Sequence, residues 1–162
     1  MPLLINRELV EADNWTTVNE ETIEQAIAGN DDIIVPLALF EEHKAALESR
    51  SGAVAPLLTG DDAYDEILAD PNRFALIAIS IPALRDGRCF SIARLLKRAG
   101  FKGQLRATGD VSHDRLDFLT RCGFNALEVP EDRYSDEALN AFDEFSVRYQ
   151  GADDDNRPVY HR

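Results

Sequence analysis

The sequence predicts an α/β fold: a single domain of about five mostly parallel strands joined by crossover helices, with a short hairpin at its amino end. Three observations carry this. After residue 30, short apolar runs alternate with amphipathic segments, the pattern of strands linked by helices that cross back over a sheet. One run, FALIAISI at 74–81, is the longest apolar run of the chain, with Ser80 its one polar residue, as suits a strand buried on both faces. The chain has 162 residues, 44% of them hydrophobic, enough to bury one core and too few for two ordinary domains. Residues 1–150 are therefore expected to form the domain, and 151–162, GADDDNRPVYHR, to be a polar tail that frays. An open doubly wound sheet and a partial β/α barrel give the same string of elements, and both stay open here.

The elements follow in order. Leu3-Leu4-Ile5, a turn at Asn6-Arg7 and Leu9-Val10 make the hairpin, ending at the acidic Glu11-Ala12-Asp13. Residues 17–29 read as a helix capped by Thr17 or Asn19, with Ile23, Ala26 and Ile27 at helical spacing and Gly29 as its stop. Ile33-Ile34-Val35 is a first strand of the sheet. Pro36 then sits in the first turn of a helix to about Ser49, where its missing N–H is harmless. Val54 to Leu58 is a second strand, and Asp61-Asp62 open a helix to about Ala69 as favourable anions at its amino end. Phe74 to Ile81 is the central strand, ended by Pro82. Phe90 to Ala99 is a helix with Ile92, Ala93, Leu95 and Leu96 on its apolar face, stopped by Gly100. Gln104 to Ala107 is a fourth strand, and Ser112 caps a helix that Gly123 ends. Ala126 to Val129 is a fifth strand. Ser135 to Tyr149 is the last helix, burying Ala138, Leu139, Phe142, Phe145 and Tyr149.

Charge narrows the function. A net charge of −13 argues against broad binding to nucleic acid or to anionic membranes, because such affinity comes from Lys and Arg releasing counterions. The amino terminus, MPLLINRELVEADNW, meets charge within seven residues and shows neither a signal peptide nor a membrane span. Cys89 and Cys122 lack C-x-x-C spacing, so neither a zinc site nor a disulfide framework is implied, and a reducing cytoplasm fits. Within this acidic chain, residues 85–106 hold seven Arg or Lys against the single Asp86, a local net of +6.

That basic stretch falls where both candidate architectures place ligands, in the loops after the carboxyl ends of strands. These loops are Pro82 to Arg88, Thr108 to Asp114 and Pro130 to Tyr134. Asp86-Gly87-Arg88 stands at a helix amino end, where free N–H groups favour an anion, Gly87 admits close approach and Arg88 adds a fork. The plainer reading makes Asp86 a cap and Arg88 a solvated side chain. Arg106 ends the neighbouring strand and points at a site or a partner carboxylate, whereas Arg94 and Arg98 read as a solvated helix face. Asp110 after Gly109 is a base, the counter-ion of Arg106 or a cap. Asp110, His113 and Asp114 are too few to hold a metal. Cys89, in a first helical turn, is either an activated thiol or, more simply, a small buried hydrophobe. His43 and His161 take no part. No G-x-G-x-x-G, P-loop, G-x-S-x-G or H-E-x-x-H motif is present. The candidate anion-binding edge is thus Asp86, Gly87, Arg88, Ser91, Arg106, Gly109, Asp110 and Asp114.

The stretch from Asp86 to Phe124 resembles the signature of a bacterial family of uncharacterised proteins, domain of unknown function 934. The matching residues are Asp86-Gly87-Arg88, Phe90-Ser91, Ala93 to Arg98, Gly100-Phe101, Gly103, Leu105-Arg106-Ala107, Gly109-Asp110-Val111, Asp114, Leu116, Arg121 and Gly123-Phe124. Asp61-Asp62, Asp70 and Phe74 extend the likeness upstream. Cys89 departs from the small residue expected there and Lys97 from a frequent Arg, so neither takes a role from the family. The resemblance implies an accessory role in assimilatory sulfate and sulfite reduction, and so in cysteine biosynthesis, since members tend to be encoded beside sulfite reductase and are often labelled oxidoreductases. The expected partner is that reductase or its electron donor. The alternative is a small-molecule enzyme or sensor that binds an oxyanion or a phosphorylated metabolite. An oxidoreductase would need a cofactor, and none has a recognisable motif here; flavin stays open because a doubly wound sheet can hold it through variable loops.

Overall fold

Asn6 and Arg7 both take positive φ, 51° and 73°, the geometry of a two-residue turn whose twist matches that of paired strands. They join β1 (Leu3–Ile5) to β2 (Glu8–Val10), with Ile5 opposite Glu8. The computed structural model describes residues 1–83 and 85–161, with the side chains at 136, 138 and 161 outside the description. The expected roles of Ala138 and His161, and residue 84 of the Pro82–Arg88 loop, lie outside the described residues.

β3 (Trp15–Thr17) follows at once and pairs in parallel with β4 (Asp32–Pro36). Between them lies α1 (Ile23–Ala28), started by Asn19, whose Oδ1 accepts from the Glu21 and Thr22 amides while Thr22 Oγ1 accepts from the Asn19 amide. Pro36 closes β4 instead of opening a helix turn. The expected single helix after it is two, α2 (Leu37–Glu42) and α3 (Lys44–Ser49), broken at His43. β5 (Val54–Leu58), α4 (Asp65–Ala69), β6 (Leu76–Ile81), α5 (Arg88–Arg98), β7 (Gln104–Gly109), α6 (Leu116–Cys122) and β8 (Ala126–Glu128) complete the alternation.

The sheet has eight strands and is mixed, where the expectation is about five mostly parallel strands beside a short hairpin; the hairpin strands join the same sheet and β3 adds to it. Its order is β2-β1-β8-β7-β6-β5-β4-β3, with β1 antiparallel to both neighbours. The six strands β3 to β8 stand in chain order and are parallel, so every crossover steps the same way and the helices gather on one face. A doubly wound sheet would reverse direction and carry helices on both faces, so that form is corrected in favour of the partial barrel. Curling is forced by the chain itself. β2 and β3 are the two edges, yet only residues 11–14 join them. Five Cα steps of about 3.8 Å reach ~19 Å at most. Eight flat strands about 4.8 Å apart would separate their edges by ~34 Å.

The two faces have separate cores. The outer one, under the helices, takes Ile33, Val35, Leu58, Ile77, Ile79, Ile81, Leu105 and Leu127. The inner, concave one takes Ile34, Ala55, Leu76 and Ala78, with Trp15 and Leu57 against it. The strict alternation along β6 explains its apolar run, broken only at the half-buried Ser80, since both faces exclude water.

The expected helix over 135–149 is a 3-10 segment, Asp136–Phe142. Ala141 and Phe142 reach the core, but Phe145 and Tyr149 are 63% and 75% exposed, so no apolar face continues to hold a helix there. The tail does not simply fray: the Asp153 amide donates to the Arg121 carbonyl at 3.1 Å, and Asp153 pairs with Arg94 and Lys97. Among the described residues, no helix is long and apolar enough to cross a membrane.

Candidate functional site

Arg106 is the third residue of β7 and faces the inside of the curled sheet, in register with Ala78 on β6 and Ala126 on β8. These small neighbours leave room for a guanidinium that is only 1% exposed. A buried cation has to be paired. Its partner is Asp13, which accepts from Nη1 at 2.6 Å and from Nη2 at 2.9 Å, a bidentate fork. The Gln104 carboxamide, turned with its oxygen toward Arg106, accepts from Nη2 at 3.0 Å and Nε at 3.2 Å. Asp13 belongs to the segment that spans the two sheet edges, so this ion pair ties the closing segment to the barrel interior. Burial alone would raise the Asp13 carboxyl, but the Arg106 hydrogen bond, the Trp15 amide and the Arg106 charge together lower it. Glu128, which ends β8 on the same face, is pushed up by burial and by the Asp13 charge, against the pull of Arg106.

A second group of charges rims the carboxyl ends of the strands. Asp61 follows β5, Asp86 and Arg88 follow β6, Asp110 follows β7 and Arg133 follows β8. Arg88 donates from Nε and Nη2 to the two Asp86 oxygens at 2.9 and 2.8 Å, and from Nη1 to Asp61. Its side chain lies over Gly60, where a Cβ would stand 2.7 Å from Nε and make the arginine shift. Asp110 accepts from Arg115 Nη2 at 3.0 Å and from Arg133, and its carbonyl takes Arg115 Nη1 at 2.8 Å. The hydrogen bonds of Arg88 pull Asp86 down to about 2, and those of Arg133 and Arg115 lower Asp110. Arg88 and Arg133 rise in turn through the same bonds.

The expected edge is therefore divided. Asp86, Arg88 and Asp110 do stand on the strand-end rim. Arg106 lies inside the barrel and pairs with Asp13, not with Asp110. Asp114 turns to the Ser112 hydroxyl, whose hydrogen bond is the first cause of its lowered carboxyl. Ser91 is exposed one turn into α5 and lines an outer concavity with Phe90 and Arg94. Gly87 has ordinary helical φ and ψ, −79° and −6°, with nothing within 4 Å of where a Cβ would be, so space before α5 is open. Gly109 has φ of 89°, and a Cβ there would meet the Ile81 carbonyl at 2.5 Å. Cys89 is fully buried and donates to the Ser80 carbonyl at 3.1 Å; burial, then the Asp86 charge, push its thiol up, which is the structural reading of this cysteine. Among the described residues, no group of three His, Cys, Asp or Glu could hold a metal.

Sequence reasoning missed Asp13, Asp61, Gln104, Arg115, Glu128 and Arg133. Arg133 sits in a loop already marked as a ligand position, and Glu128 follows from strand alternation. Asp13 had no local signal, because only the closure of the sheet brings it to Arg106, 93 residues away.

One solved structure compared with this chain is described as a "putative deoxyribose-phosphate aldolase" from Coccidioides immitis; the two share 14% identity at a TM-score of 0.42, over 69% of this chain and 55% of that protein's length. No curated protein matches. The model of a family described as "Bacterial protein of unknown function (DUF934)" matches residues 55–160, about two thirds of the chain, and the protein belongs to that family.

Proposed function

We propose that this protein is an accessory factor of assimilatory sulfite reduction that docks to sulfite reductase, or to its electron donor, through the strand-end rim. The observation that supports docking is the rim itself: Asp61, Asp86, Arg88, Asp110 and Arg133 come from four successive strand ends and form ion pairs in which Asp61, Arg88 and Arg133 face solvent, at 83%, 54% and 44% exposed, while Asp86 and Asp110 are largely covered. The solvent-facing Arg88–Asp61 contact is of the weakly held kind, so a partner's charges can exchange with it while the bidentate Arg88–Asp86 fork stays in place. Charge pairs across an interface then set encounter rate and register. The pathway itself comes from the family resemblance, and the −13 net charge suits a basic redox partner.

Deleting the gene in its source bacterium and supplying sulfate, sulfite or cysteine as the sole sulfur source tests the role. Growth rescued by cysteine alone, and not restored by an Arg88→Ala copy, is expected. Unchanged growth on sulfate contradicts it.

A second reading, a sensor for a small oxyanion, is favoured by the open space at Gly87 beside the amino end of α5. A thermal-shift series with sulfite, sulfate and phosphate separates the two, because a ligand that binds only the folded state raises its stability. No shift with any of the three favours docking.

A further inference from the structure

Away from the rim, the outer face of α5 carries Arg94, Lys97 and Arg98, and the last turn of α6 adds Arg121. In a chain of net charge −13 these four cations form a local basic surface. The chain covers part of it with its own acidic tail. Asp153 lies 3.6 Å from both Arg94 and Lys97, and Asp154 lies 3.6 Å from Arg121. The start of the tail is better anchored, with Arg121 Nη2 donating to the Gln150 carbonyl at 2.7 Å.

Two features say that the tail is an exchangeable occupant. Its carboxylate contacts, at 3.6 Å, exceed the roughly 2.7–2.9 Å of charge-assisted hydrogen bonds, so beyond the one backbone bond from the Asp153 amide to the Arg121 carbonyl these partly exposed pairs hold it loosely. The surface also runs on past the tail. Arg94 is shared between a concavity that it lines together with Asp153 to Asn156 and a second one of about 370 Å³, lined by Phe90, Ser91, Leu95 and Arg98. Phe90 meets Phe118 edge-on at 5.1 Å, and Phe118 is 50% exposed. Arg98 makes no ion pair among the described residues. The second concavity thus joins a cation to an apolar floor.

We infer that this face is a docking surface for an acidic segment of a partner protein, one that carries an apolar residue beside consecutive carboxylates. Residues 150–156 occupy the basic half until that segment displaces them. The carboxylates would pair with Arg94, Lys97 and Arg121, and the apolar residue would rest on Phe90 and Leu95, with Arg98 at its edge. Competition is intramolecular, so a weak tail still raises the threshold that an incoming segment must meet. This inference uses a different face from the rim and does not depend on it.

The probe is a fluorescein-labelled synthetic peptide of three aspartates, glycine and leucine, its anisotropy followed with the full chain. The D153N/D154N variant, which keeps the tail's length, is expected to bind it about fivefold tighter than the wild type. Arg98→Glu, which leaves the tail contacts in place, is expected to weaken binding about fivefold, and replacing the peptide's leucine by serine to weaken it further. An Arg88→Ala chain should bind like the wild type, which keeps failure here distinct from failure of the rim reading. Equal binding by wild type and D153N/D154N, no effect of Arg98→Glu, or no binding at all overturns the inference.

Discussion

At the scale of single residues, the Arg106–Asp13 pair makes an asymmetric prediction. Asp13→Ala strands a fully buried guanidinium and is expected to cost about 2–4 kcal/mol, read as a lower urea midpoint at unchanged m-value. Arg106→Met should cost clearly less, because the freed Asp13 carboxylate, about a third exposed, can turn to water and Met can fill the cavity beside Ala78 and Ala126. Equal losses would mean that the pair is not a latch. The interior also fixes two pH dependences of opposite sign. Asp13 has a lowered carboxyl when folded, so its contribution is present above the unfolded value and is lost as pH falls through the folded one. Glu128 has a raised carboxyl, so the folded state is penalised as pH rises from its unfolded value through its folded one. Glu128→Gln is therefore expected to stabilise the protein at pH 7 and to leave it unchanged near pH 4, as urea titrations at both pH values would show. Arg106 was legible in the sequence as a charge with somewhere to point. Its partner was not, because strand alternation is local while the contact with Asp13 is made only by closing the sheet.

At the scale of elements, two glycines at the loops of the rim separate backbone demand from open space. Gly109 sits at φ 89° against the Ile81 carbonyl, so Gly109→Ala should cost ~2 kcal/mol or more, by strain and by displacing the end of β6. Gly87→Ala meets nothing within 4 Å at ordinary φ and should change stability by less than about 1 kcal/mol in either direction. Thermal unfolding of the two variants checks the contrast. The strands from residue 33 onward were readable because their apolar runs are bounded by turn residues. β3 was not, since Trp15-Thr16-Thr17 is three residues long and runs into a segment whose helical spacing begins just after it. The 135–149 segment failed in the opposite direction. Its apolar spacing is helical, but propensity without a buried face does not hold a helix, and Phe145 and Tyr149 find none.

At the scale of the whole molecule, strand order explains why charges distant in sequence meet. Because β5 to β8 stand side by side in chain order, the loops that follow them line one rim in the same order, and Asp61 meets Arg88 while Asp110 meets Arg133. The alternation of strands and helices was plain in the sequence, but a doubly wound sheet has the same alternation. The strand order and the short link between β2 and β3 decide for the curled form, and neither is legible before the pairing of the strands is known. The rim's exposed pairs imply that binding through it is screened by salt, over a Debye length of about 8 Å at physiological ionic strength. Titration calorimetry of this chain with purified assimilatory sulfite reductase, and separately with its electron donor, tests the docking claim most directly. The account predicts saturable binding to one of them, weakened about tenfold by Arg88→Ala and weakened again by raising the salt to 0.5 M, where the Debye length is about 4 Å. Absence of binding to both, or binding that neither Arg88→Ala nor salt alters, contradicts it.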